Sequence, residues 1–77
     1  MTEQYVHAVE TLLATNFNFK RLYDKHSQLD EQVNAAYEGD IAVDEMSLEK
    51  MKKEKLYLKD QMERMIMEFI QSNQAVA

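Results

Sequence analysis

Apolar and polar positions along the chain recur with the period of a helix rather than that of a strand. Stepping by three and four from Tyr5 reaches Ala8, Leu12, Thr15, Phe19, Leu22, His26, Leu29, Val33 and Ala36, and only Thr15 and His26 are polar. This is the 3.5-residue repeat of a coiled-coil seam, sustained for more than four heptads. A second series, Leu48, Met51, Lys55, Leu58, Met62, Met65 and Phe69, has one polar member, Lys55. Leu56, Ile66 and Ile70 widen the second apolar face toward its C-terminus, and Val6, Val9, Leu13 and Phe17 widen the first near its start. Between the two series stands the only glycine, Gly39, where a helix C-terminus favours a residue that reaches positive φ without a Cβ clash. Asp44 is a fitting N-cap for the second helix, and β-branched Ile41 and Val43 suit an extended connector.

The pattern predicts an all-α, coiled-coil-like antiparallel two-helix hairpin forming a single unit over residues 1–77. Helix 1 covers about 3–37, capped by Thr2; the loop about 38–44; helix 2 about 45–72, with a frayed C-terminus. Thr15-Asn16-Phe17-Asn18 gathers three poor helix formers, so a kink or a separate short N-terminal helix is the alternative there. Facing residue numbers should total about 84, placing Val33 on Met51, Leu22 on Met62 and Phe19 on Met65. The same register sets Asp24 near Lys59, Asp30 near Lys53 or Lys55, and Glu31 near Lys52 or Lys53. Such pairs fix register more than stability, at about 0.2–1 kcal/mol each.

Phe19-Lys20-Arg21-Leu22-Tyr23-Asp24-Lys25-His26-Ser27-Gln28-Leu29-Asp30 resembles the first half of the small bacterial YdcH-like family of unknown function. Leu48-Glu49-Lys50-Met51-Lys52-Lys53-Glu54-Lys55-Leu56-Tyr57-Leu58-Lys59-Asp60-Gln61-Met62 resembles its second half, and the Glu38-Gly39 step fits between them. The more specific features are His26 before Leu29-Asp30 and the Leu56-x-Leu58-Lys59-Asp60 run. The resemblance covers roughly Leu12 to Ile66. It departs at Thr15-Asn16, where relatives usually carry acids, and at Met51 and Met62, where Leu and Ile are commoner. It implies a soluble helical hairpin similar to coiled-coil segments of motor proteins, and it implies no activity.

Composition narrows the chemistry. The 77 residues contain no Pro, Cys or Trp, so disulfides, thiolate metal sites and thiol nucleophiles are out, and a reducing cytoplasm is a compatible home. No stretch approaches the ~18 uninterrupted apolar residues of a membrane span. The net charge of −5 is uneven: residues 38–49 hold Glu38, Asp40, Asp44, Glu45 and Glu49 with no base. An acidic chain is repelled by nucleic acid, and only Lys50, Lys52, Lys53, Lys55 and Lys59 could reverse that locally. Ser27, Ser47 and Ser72 lie in no nucleophile elbow, and there is no glycine-rich phosphate loop. His7 and His26 make no His-x-x-x-His zinc pair, and His26 reads as a seam histidine with Asp30 one turn on as its partner. Met62, Met65 and Met67 mimic a soft copper(I) set, but only the first two share the seam, so methionines filling an uneven core explain them better.

The expectation is therefore a non-enzymatic structural or interaction protein with no metal, cofactor or small-molecule substrate. Its helix–helix seam comprises Leu12, Phe19, Leu22, His26, Leu29, Val33, Leu48, Met51, Leu58, Met62, Met65 and Phe69, with Gly39 and Asp44 as loop and cap. Surplus apolar width at the open end, Leu13, Phe17, Ile66, Phe69 and Ile70, predicts an interface with a second copy or another protein. A homodimer closing as a four-helix bundle is the simplest solution. A nucleic-acid-binding accessory module using Lys50–Lys59 is the alternative.

Overall fold

A computed structural model of the chain describes residues 2–74. It is all-α, with α1 over Glu3–Thr15, α2 over Phe17–Glu38 and α3 over Glu45–Gln74. α2 and α3 form the expected antiparallel pair. The expected single helix over 3–37 is instead two helices, so the protein is a three-helix unit and not a two-helix hairpin. The expected frayed C-terminus falls largely on residues 75–77, which lie outside the described residues.

The break is one residue wide. Asn16 adopts φ −121° and ψ 107°, closing α1 with its own N–H on the Leu12 carbonyl at 2.8 Å. Its side-chain oxygen accepts from the Phe19 N–H at 3.0 Å, so the same residue caps the start of α2. Thr15 adds to the weakness of the helix here, its hydroxyl donating to the Thr11 carbonyl at 2.7 Å. The break also serves packing. Turning at Asn16 lets α1 pack against both α2 and α3. The His7 ring then lies 6.4 Å from that of Phe69, about two helical turns nearer the loop than a straight helix would place it.

The main core sits under α1. Ala8 and Phe19 are wholly buried, Ile66 nearly so, and Leu12 joins them. Tyr5, Val9, Leu13, Met62, Met65, Phe69 and Ile70 pack around this cluster. Toward the loop the seam narrows to Leu58, Leu29 and Val33. The other boundaries follow their caps. Thr2 Oγ1 accepts from the Tyr5 N–H at 3.3 Å. Gly39, at φ 80°, ends α2 with its N–H on Ala36 and the Asp40 N–H on Ala35, the paired bonds of a left-handed C-terminal cap. Asp44 Oδ2 accepts from the Ser47 N–H at 3.4 Å to open α3. Hydrogen bonding from Ser47 lowers the Asp44 pKa from its ordinary value.

Candidate functional site

α1 does not seal the furrow between α2 and α3; it overhangs it. Tyr5, Val6, Val9 and Leu13 form one wall of an open groove of about 690 Å³ whose floor includes Phe19, Met62 and Ile66. The groove runs down to a polar end at His26, Ser27, Asp30, Lys55 and Lys59. There Lys55 Nζ lies 2.5 Å from Asp30 Oδ1. This contact, within the register expected from the sequence, holds the Asp30 carboxyl below its ordinary pKa, first through the hydrogen bond and then through the charge. Asp30 is thus spent on Lys55 rather than on His26, and His26 Nε2 is buried without a hydrogen-bond partner. The arrangement offers an apolar slot with an ion pair at one end. It offers no nucleophile held by a base, since Asp30 is engaged and Ser27 makes no bond to His26 among the described hydrogen bonds. Among the described residues no three His, Asp or Glu side chains gather to hold a metal, and no helix is long and apolar enough to cross a membrane.

The seam residues are inside or half inside. Leu12, Phe19, Leu29, Val33 and Leu58 are buried, while Leu22, His26, Leu48, Met51, Met62, Met65 and Phe69 are half-buried. The residues expected to form an interface divide. Ile66 lies in the core beneath α1, Leu13, Phe69 and Ile70 are half-buried around it, and Phe17 stands 75% exposed. Arg21 lies over the Phe17 ring, 6.0 Å from its centroid. Further apolar surface at this end comes from Val6 and Met67. Met67 thus parts from Met62 and Met65, which pack on the core.

Of the lysine cluster, Lys55 is held by Asp30. Lys52 lies 4.9 Å from the Tyr37 ring centroid and 3.8 Å from Glu49. Tyr37 first, and Glu49 after it, raise the Lys52 pKa. Lys50, Lys53 and Lys59 are exposed, at positions that step around α3 instead of lining one face. Lys25 pairs with Glu54 at 3.6 Å, a bridge the facing-number rule did not single out. The expected Asp24–Lys59 and Glu31–Lys52 or Lys53 pairs are absent among the described residues. Sequence reading also gave Asn16 no role beyond weakening a helix. Its signal was an Asn three residues before Phe19, the spacing of a side-chain cap to a backbone N–H.

The profile of a family described as "Protein of unknown function (DUF465)" matches residues 19–66, well over half of the chain. The chain belongs to that family. The match agrees with the YdcH-like resemblance, and it begins at Phe19, so that α2 from that point, the loop and most of α3 fall within it while α1 and Asn16 lie before it. No curated protein and no solved structure matches the chain.

Proposed function

We propose that this protein is a non-catalytic interaction module that assembles with a second copy of itself through the apolar surface at its α1 end. Surface area carries the reading. The protein exposes 5947 Å², whereas a compact monomer of 9.1 kDa would expose about 4,900 Å². The excess, on the order of 1,000 Å², is what an elongated shape adds, and it leaves room for a standard interface of about 800 Å² per partner. Its shape, 52 × 23 × 17 Å, is that of a rod with a flank to cover. Val6, which lines the groove, is 42% exposed, and Phe17 and Met67 are 75% and 49% exposed. A four-helix core built from two α2–α3 pairs would close such a surface by symmetry. The reading involves no cofactor, metal or small-molecule substrate and is set in the cytoplasm. The separate course of Lys50, Lys53 and Lys59 around α3 supports a protein partner over nucleic acid.

Sedimentation equilibrium over a wide concentration range tests this. The weight-average mass should climb from 9.1 kDa toward twice that value. Phe17→Glu combined with Val6→Glu should hold it at the monomer with helicity kept, and Val43→Glu in the loop should leave it unchanged. A wild-type chain that stays monomeric at the highest concentration would refute self-association. Saturable binding of RNA or DNA at physiological salt would instead favour the lysine-based reading.

A further inference from the structure

We infer that Asn16 is a hinge through which α1 can leave its own α3 and cover the α3 of a second copy. The inference rests on the self-association reading for its use in the native protein, and it names the segment exchanged.

The first observation is phase. Ala8 and Leu12 of α1, and Phe19 of α2, meet Ile66 in one buried cluster although a break separates them. Leu12 and Phe19 are seven residues apart, and the 3.5-residue repeat runs through residue 16 with nothing inserted or deleted. Straightened at Asn16, residues 3–38 would therefore form one helix with a single in-phase seam, polar only at Thr15 and His26. An ordinary helix–turn–helix corner carries several turn residues and shifts the phase; this one does neither.

The second observation is how little the straightening changes. The bent form lacks the helical bonds from the Phe17 and Asn18 N–H groups to Leu13 and Ala14, which are absent among the described backbone bonds. It holds the Phe19 N–H on the Asn16 side chain instead of on the Thr15 carbonyl. A straight helix regains all three backbone bonds and gives up one cap. The larger loss is the α1 cover over Ile66, Phe69 and Met62, together with exposure of Ala8 and Leu12. A second copy restores it, because α1 of each chain can dock on the α2 and α3 of the other with the contacts it makes within one chain. Exchange of identical elements changes the hinge and little else, so the hinge residue sets the balance.

The hinge can be pushed either way. Asn16→Ala removes the cap and supplies the best helix former, favouring the straight form. Phe17→Pro favours the bend. Proline suits the first position of a helix, and it pushes the residue before it toward the extended region that Asn16 already occupies. Nor does it break a backbone bond, since the Phe17 N–H makes none in the bent form.

The chain has no cysteine, so an engineered pair gives a clean readout. His7→Cys and Phe69→Cys, placed on separate chains and mixed in a thiol–disulfide buffer, can report α1 of one copy over α3 of another, since these rings adjoin within one chain. We expect the Asn16→Ala background to raise the dimer association constant at least tenfold and to give the mixed disulfide as the main cross-linked product. Phe17→Pro should give far less mixed disulfide than Phe17→Ala, which removes the same exposed ring without favouring the bend, and both should keep the helical circular dichroism. A helical Asn16→Ala chain that stays monomeric, or that dimerises without the mixed disulfide, would overturn the exchange. So would a Phe17→Pro chain that cross-links as readily as Asn16→Ala. Wild-type dimers lacking the mixed disulfide would leave self-association standing and sink only the exchange. A monomeric wild type whose Asn16→Ala form exchanges would do the reverse.

Discussion

The two ends of the rod are held by different forces. At the α1 end, Ala8, Leu12, Phe19 and Ile66 are buried together and seven half-buried apolar side chains surround them. Toward the loop end, among the described residues, the buried apolar side chains are Leu29, Val33 and Leu58. Stability there leans on the Gly39 and Asp44 caps and on charge. All three ion pairs found among the described residues, Lys25–Glu54, Lys55–Asp30 and Lys52–Glu49, fall between residues 25 and 55. The contrast follows from local sequence. The loop end carries five acids and no base over residues 38–49, a density that cannot be buried, so it must remain wet. The α1 end carries wider apolar stripes, and a second layer of helix is the means of covering them. Apolar burial is worth roughly 1.5–3 kcal/mol for a large side chain, whereas an exposed ion pair rarely exceeds about 1 kcal/mol. The α1 end should therefore dominate equilibrium stability.

The sharpest way to break this comparison is to cut a hole in the core at each end. Phe19→Ala removes a fully buried ring from the junction of all three helices and should cost about 3–5 kcal/mol in urea denaturation. A small domain has only about 5–15 kcal/mol in total, so this variant should be close to unfolding at 37 °C. Val33→Ala at the loop end loses two methyl groups and should cost about 1.5–2 kcal/mol. Equal losses at the two sites would mean that the loop end shares the core fully, and the division between the ends would fail.

His26 sits where the two regimes meet, and it tests whether polar groups on the seam help or hinder. Its Nε2 is buried without a partner while Asp30, the residue best placed to serve it, is taken by Lys55. An unsatisfied buried polar atom costs about 1–3 kcal/mol. His26→Leu should therefore be neutral or stabilising by up to about 2 kcal/mol, read from the same denaturant titration. A loss of several kcal/mol would show that His26 anchors a network, and the polar half of the rod would then extend further toward α1.

Much of this architecture was legible in the sequence. The α2–α3 pairing, its register at Asp30–Lys55, the left-handed turn at Gly39 and the caps at Thr2 and Asp44 each rest on a local signal that packing does not override. The continuous helix 1 failed at Asn16, where the alternative of a separate short N-terminal helix holds, and the failure has a physical cause. Heptad periodicity reports which residues share a face, and it is blind to whether a helix is straight, because a break that keeps phase leaves the pattern intact. What shows the turn is the packing of α1 back over α2 and α3, which the pattern does not contain. Poor propensity at Thr15-Asn16 signalled weakness but could not say whether the weakness would be used. The groove under α1 was invisible for the same reason, since it exists only once α1 folds over. Lys25–Glu54 was missed because long side chains reach across a turn from their nominal facing position.

The smallest effect concerns the ion pair at the polar end of the groove. Lys55 holds the Asp30 carboxyl below its ordinary value of 3.8, so the folded state binds that proton less readily than the unfolded chain does. A carboxyl depressed on folding stabilises the protein above its unfolded pKa, and that contribution disappears as the pH falls through the lower folded value. Asp44, lowered by its bond to Ser47, loses its contribution in the same acid window, so wild-type acid sensitivity alone cannot single out Asp30. The comparison with Asp30→Asn can. At neutral pH the wild type should melt slightly higher than Asp30→Asn, with the gap small because both partners of the pair are partly exposed. As the pH drops below about 4 the two melting temperatures should converge, since the carboxylate that Lys55 attracts is then neutralised. Raising salt at neutral pH should narrow the gap as well. A difference that survives undiminished to about pH 2 would mean that Asp30 acts through the shape of its hydrogen bond rather than its charge, and the loop half would then owe less to electrostatics than its thin core suggests.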